Sequence, residues 1–159
     1  MVDHEKASFM TLCVQMAEEN VHTGRGGPFA AIITQDNQVI GKGVNSVTCQ
    51  SDPTAHAEVM AIRDACQRVG NYRLDGAVLY SSCEPCPMCL GAIFWAGISK
   101  VYYAADKQEA EEAGFRDAMI YHEINRNPEQ RSTPFIRMLV PEHTAPFKAW
   151  KNAENKTLY

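Results

Sequence analysis

Apolar residues recur along this chain with two different periods, and the switching between them outlines an architecture. Phe9, Leu12, Cys13 and Met16 fall at helical spacing between about Glu5 and Asn20, which predicts an amphipathic helix. The run His22-Thr23-Gly24-Arg25-Gly26-Gly27-Pro28 breaks it. Phe29 to Thr34 then reads as a buried strand, Gln35-Asp36-Asn37-Gln38 as a turn and Val39 to Val44 as a second strand, together a hairpin. Asp52-Pro53-Thr54 opens a helix running to about Val69, stopped by Gly70-Asn71. Ala77 to Ser82 is a strand, Pro85 opens a helix ending at Gly97, and Lys100 to Ala104 is a strand. Gln108 to about Ile124 predicts one long helix, Phe135 to Val140 a short strand, and Pro146 to Asn155 a last helix. A hairpin followed by alternating strands and helices implies an α/β layer fold around a mixed sheet.

The composition narrows the reading without changing it. At 159 residues, 45% hydrophobic and 21% charged, the chain suits one globular domain. Fifteen Lys+Arg against nineteen Asp+Glu give a net charge of −4, which disfavours a protein built to grip a nucleic-acid backbone. The longest apolar stretch, Cys89 to Ile98, falls far short of the ~20 residues of a membrane span. The opening Met1-Val2-Asp3-His4-Glu5-Lys6 lacks the apolar block of a signal peptide, so the expected location is cytoplasmic. Six cysteines could form disulfides, but Cys83, Cys86 and Cys89 cluster within seven residues. In a reducing compartment such clustering reads as metal binding or chemistry. Cys13 and Cys66 sit on helical patterns and read as small buried hydrophobes.

The chemistry is concentrated in His56-Ala57-Glu58 and, thirty positions after His56, in Cys86-Pro87-Met88-Cys89. Positions two apart on a regular helix lie about 200° apart around its axis. His56 and Glu58 therefore share a site only if it lies off the helix N-terminus. Cys86 and Cys89, three apart, share a face at the start of the next helix. Two positive helix ends then converge on one point and favour thiolates, the metal-binding form. One imidazole and two thiolates suit zinc, and three protein ligands leave a fourth position for water. Zinc lowers the pKa of such a water toward ~7, and Glu58 can carry its proton to a ring nitrogen and then to a leaving amine. That chemistry is hydrolytic deamination.

A structural zinc protein is the different-class alternative: Cys83 with Cys86, Cys89 and His56 would close a Cys₃His set without catalysis. Cys83 ends a strand, however, and the closed site leaves Glu58 without a task. The open site is preferred.

These residues resemble the cytidine-deaminase-like superfamily, whose zinc signature has this form, and more closely the bacterial guanine deaminases of that fold. The resemblance runs nearly end to end, through Gly26-Gly27-Pro28-Phe29, Asn45, Asp52 to Glu58, Cys83 to Cys89, Glu112-Ala113-Gly114-Phe115-Arg116-Asp117 and Tyr159. It implies a three-layer α/β/α fold with a five-stranded mixed sheet in the order 2-1-3-4-5. It implies one Zn²⁺ per subunit on His56, Cys86 and Cys89, with Glu58 and Asp117 catalytic. It also implies a homodimer in which a C-terminal segment, about residues 141–159, can be exchanged, and a purine pocket of Phe29, Asn45, Ala57, Trp95, Asp117 and Tyr159.

Read from the residues alone, Gly24-Arg25-Gly26-Gly27 is a plain turn, and Asn45 is a turn former. The resemblance makes Asn45 a base-reading amide. Asp117 lies in a Glu-rich stretch where a charge ordinarily faces solvent. Phe94 and Trp95 read as core, Trp95 also as a pocket candidate, and His4, His22, His122 and His143 as structural or surface residues. The resulting expectation is guanine conversion to xanthine and ammonia in purine catabolism or salvage. A tRNA adenosine deaminase shares the zinc motifs, but Lys148, Lys151 and Lys156 make a sparse footprint for RNA. Guanosine and aminotriazines such as ammeline are the other alternative substrates.

Overall fold

The computed structural model describes residues 4–159, which fall into two compact units divided after Ala118. Met1–Asp3, the start of the stretch read for a targeting signal, lie outside the described residues. Among the described residues no helix is long and apolar enough to cross a membrane.

The first unit is a sheet covered on both faces. Helix α1 (His4–His22) leads into strands β1 (Ala30–Gln35) and β2 (Gln38–Val44), paired antiparallel through Asp36 and Asn37. Both turn residues have positive φ, 49° and 58°, the left-handed geometry that Asp and Asn tolerate at a tight hairpin. After a short helix α2 (Val47–Gln50) come α3 (Ala57–Val69), β3 (Val78–Cys83), α4 (Pro87–Ala96) and β4 (Lys100–Ala105). The strands are ordered β2-β1-β3-β4, with β3 antiparallel to β1 and parallel to β4. Period-two alternation sorts the core into two layers. Ala30, Ile32 and Tyr80 meet Cys13 and Ala17 of α1, whereas Ala31, Ile33 and Leu79 meet α3 and α4. This is the expected α/β/α arrangement. Each fully buried Ile or Leu contributes roughly 1.5–3 kcal/mol.

The seam between α3 and β2 is built from small residues. A Cβ at Gly41 would lie 2.6 Å from the Ala61 carbonyl oxygen, and one at Gly43 would collide with the Ala57 carbonyl oxygen. Helix α3 therefore sits directly on the strand backbone, which fixes the position of its N-terminus.

Several boundaries depart from the pattern-based reading. Helix α3 starts at Ala57 rather than at Asp52, because Asp52 Oδ1 accepts from both N and Oγ1 of Thr54 and forms a separate turn. Helix α4 starts at Pro87, not Pro85. The single helix expected from Gln108 to Ile124 is two, α5 (Lys107–Glu112) and α6 (Ala118–Ile124). Asp106 and Glu109 close a capping box at the start of α5, and Gly114, at φ 97°, ends its continuation. Leu12 is partly exposed, since the buried stripe of α1 runs through Cys13, Ala17 and Asn20.

The second unit, Met119–Tyr159, holds the rest of α6, a 3₁₀ turn (Pro128–Gln130) and helix α7 (Ala145–Asn152). The fifth strand expected at Phe135 to Val140 does not form; among the described residues the sheet has four strands. Alternating apolar side chains favour an extended backbone, but a strand exists only where a second backbone pairs with it.

Candidate active site

Strands β2, β3 and β4 run in one direction, and the residues expected to act lie beyond the edge where they end. Asn45 follows β2, Cys86 and Cys89 follow β3, and Asp117 follows β4 and α5, while Phe29 precedes β1 at that same edge. The N-termini of α3 and α4 point there too. His56 is the N-cap of α3 and Cys86 the N-cap of α4, both in extended conformation, with Pro87 locking the first residue of α4.

The two thiols converge on one ring nitrogen. His56 Nδ1 lies 3.5 Å from Cys86 Sγ and 3.6 Å from Cys89 Sγ, and the three ligand atoms all lie within 4.8 Å of one another. A tetrahedral ion with the usual Zn–S and Zn–N bond lengths demands N···S separations of about 3.6 Å. The set therefore fits one zinc ion per chain. Cys83 stands apart: its Sγ faces the Asp106 carbonyl at 3.6 Å, and burial pushes its thiol up to about 11. The closed Cys₃His alternative does not form.

The thiols are electrically unequal. The neighbouring Cys89, and then the His56 ring, hold Cys86 down to about 4. Cys89 is raised, first by the adjacent Cys86 and then by burial. Cys86 thus already has the thiolate character that a metal requires. Glu58 completes the centre on the first turn of α3. It is buried, with Ser81 Oγ donating to Oε1 at 2.9 Å and Cys89 Sγ donating to Oε2 at 3.3 Å. Burial pushes its carboxyl up, against the opposing hydrogen bonds. A buried acid held near the ligands, its carboxyl pushed up by burial, is suited to moving protons.

Residues 3–105 match the family model of the cytidine and deoxycytidylate deaminase zinc-binding region. The chain belongs to this deaminase family. The guanine deaminase of Bacillus subtilis is 51% identical over 158 residues, spanning 99% of this chain and all of that protein. The crystal structure of the Bacillus subtilis guanine deaminase superposes with a TM-score of 0.95 at 52% identity, covering 96% of this chain and 98% of that one. The tRNA-specific adenosine deaminase of Buchnera aphidicola is 39% identical over 99 residues, 62% of this chain and 63% of that protein.

In this deaminase the remaining expected residues are distributed unevenly. Asn45 is buried, and its Oδ1 accepts from Gly27 N and Val47 N at 3.3 and 3.4 Å, so its other polar group is a donor. Phe29 stacks edge-on against Phe115 with centroids 4.7 Å apart, which brings the segment after α5 back to the loop before β1. Asp117, half-buried, lies within electrostatic range of His56 and Cys86. Burial, and then the charges of Cys86 and Glu84, push its carboxyl up. Ala57 has its side chain in the core and its backbone N–H on the first turn of α3.

Trp95 is not brought to this group. It sits in the last turn of α4, nine residues and thus about 13 Å along the axis from Cys86. The expectation that Phe94 and Trp95 are core is also overturned, since they are 74% and 67% exposed. Helix α4 turns Cys89, Ile93 and Ala96 inward, leaving those two on its outer face. Tyr159 belongs to the second unit and is exposed.

Two residues escaped the sequence reading. Ser81 is a hydroxyl on the face of β3 that otherwise packs α3 and α4, a polar position in an apolar alternation. Asn20 is buried at the end of α1 and donates from Nδ2 to the carbonyls of Gly27 and Asn45, both at 2.9 Å, tying the Phe29 loop to β2.

Proposed function

We propose that this deaminase converts guanine and water to xanthine and ammonia. The observation that carries the reading is the extent of the match to the Bacillus subtilis guanine deaminase, which continues past the zinc-binding region through 99% of the chain. The match to the Buchnera tRNA deaminase covers 62%. Zinc on His56, Cys86 and Cys89 supplies a Lewis acid that makes water acidic. Glu58 takes one proton from water and delivers it to a ring nitrogen of the base, then takes the remaining proton of the added hydroxyl and delivers it to the departing amine. A new C–O bond forms at the amino-bearing carbon, its C–N bond breaks, and ammonia leaves with the proton.

The surrounding groups fit recognition of a purine. The Asn45 amide donates to the base edge, Phe29 offers an aromatic wall, and the first-turn N–H of Ala57 points from a positive helix end. Asp117 accepts the amidine-like N–H edge. Tyr159 covers the base. The enzyme works as a homodimer that exchanges a C-terminal segment of about residues 141–159. Exposed apolar side chains in both units support this, among them Phe94 and Trp95 and, in the second unit, Ile136 at 77% and Met138 at 82%. A cytoplasmic location suits a centre that needs reduced thiols, in the service of purine catabolism or salvage.

Ultraviolet assays of purified, zinc-loaded protein on guanine, guanosine, adenine, cytidine and ammeline test the reading. Conversion of guanine with the highest kcat/KM is the expected result. Preferential turnover of another substrate, or of tRNA adenosine, would replace it.

A further inference from the structure

We propose that Ser81 is a positioning residue for Glu58, holding one carboxylate oxygen so that the other is presented to the reaction. The inference rests on Glu58 as the proton carrier of the deamination proposed above. On β3, Leu79 faces the α3–α4 side and Tyr80 the α1 side, so Ser81 returns to the α3–α4 side. There it is 1% exposed, and its Oγ donates to Glu58 Oε1 at 2.9 Å.

The two carboxylate oxygens are held differently. Oε1 is bound by a hydroxyl whose donor capacity does not depend on the metal. Oε2 faces Cys89 Sγ, 3.3 Å away, on the side of the ligand set. Ser81 thus holds the oxygen that points away from the ligands. The carboxylate is anchored at one end and working at the other. A merely structural serine would satisfy its hydroxyl on a backbone carbonyl as well as on this side chain.

The test uses holoenzyme variants Ser81→Ala, Ser81→Thr and Ser81→Val. Hydrogen bonds to charged groups are worth enough that losing this one lowers kcat for guanine by about tenfold or more. KM stays within about twofold and zinc stays at one per chain. Ser81→Thr retains most of kcat while its near-isostere Ser81→Val does not, a pair that decides the matter if Ser81→Ala folds poorly. In a Glu58→Gln background, Ser81→Ala adds no further loss.

Full kcat in Ser81→Ala, equal losses in Ser81→Thr and Ser81→Val, or the same fold-loss in the Glu58→Gln background would overturn the proposal. Wild-type protein inactive on guanine would instead overturn the functional reading. In that event the infrared carboxyl band assigned to Glu58 still decides the pairing: it shifts in Ser81→Ala and not in Ser81→Thr if Ser81 holds the group.

Discussion

His56 and Cys86 occupy the N-caps of two different helices, and their side chains meet with Nδ1 and Sγ 3.5 Å apart. Neither side chain caps its own helix. A capping Ser or Asp at such a position typically stabilises by about 1 kcal/mol, so both helices forgo that gain. What they acquire is a shared ligand set that joins α3 to α4.

Metal removal should therefore cost stability as well as activity. Chelation removes the ion that would join the starts of α3 and α4 through His56, Cys86 and Cys89. Free zinc at a thousandfold excess over its Kd stabilises the native state by about 4 kcal/mol. At this size 1 kcal/mol moves Tm by about 2–4 °C, so the apo-protein should melt roughly 8–16 °C lower. Calorimetry before and after chelation measures this, and added zinc should restore the original Tm. An unchanged melt would show that the ligand set contributes nothing to the fold.

Cys83 and Cys86 should respond oppositely to the same substitution. Cys86→Ala removes a ligand and should lose zinc together with activity. Cys83→Ala removes a thiol that faces the Asp106 carbonyl and should retain one zinc per chain. Metal analysis of the two purified variants settles the comparison, and equal loss of metal would restore the closed site.

Asp117→Asn should reduce guanine kcat/KM by at least about tenfold while shifting Tm little. The side chain is half-buried and near the ligands, so an unmatched amide there leaves a desolvated N–H edge of the base unpaired. Steady-state kinetics beside a thermal melt separate the effects. Unchanged kcat/KM would return Asp117 to the solvent-facing role that its Glu-rich surroundings indicate.

The ligand set was legible because its spacing has a single geometric solution. His56 and Glu58 can share a site only beyond a helix N-terminus, and that is where they are. The order of the four strands is the one that the family resemblance implies, whereas the alternating pattern alone indicates a mixed sheet without fixing its neighbours. Trp95 was misplaced because an apolar run carries no periodicity: in Cys89 to Ile98 inner and outer faces look alike. The long helix after Gln108 was misread because its helix-forming composition outweighed one glycine, yet Gly114 at φ 97° ends the helix. Ser81 stayed hidden because a serine in a strand is unremarkable until its face is known.

Alkaline stability should depend on a residue outside the chemistry. Burial pushes the Cys13 thiol up to about 12, and the nearby Glu58 charge adds to the effect. The ordinary value of a thiol is 9.0, so the unfolded chain gives up this proton first as pH rises. The contribution is complete below pH 9 and is lost between about 9 and 12, with a limiting slope of about 1.4 kcal/mol per pH unit. Cys13→Ala should lower stability at neutral pH through its cavity, yet flatten the decline above pH 9. Urea melts from pH 8 to 11 give both slopes, and parallel curves would dismiss the role of the thiol.

The C-terminus ends in Leu158-Tyr159 after a polar stretch, and both residues are exposed, at 74% and 77%. Exposed apolar side chains gain by covering something apolar. The flat face of a purine is such a surface, and covering it keeps bulk water away from the proton transfers of Glu58. Deleting Leu158 and Tyr159 should therefore leave Tm and zinc content unchanged and lower guanine turnover at least about tenfold. Because a lid acts on bound base, the loss should divide between a raised KM and a lowered kcat, whereas a folding defect would reduce the active fraction and leave KM alone. Tyr159→Phe should retain most activity, since the ring rather than the hydroxyl does the covering. Turnover and KM matching the full-length enzyme in the deletion variant would remove Tyr159 from the site.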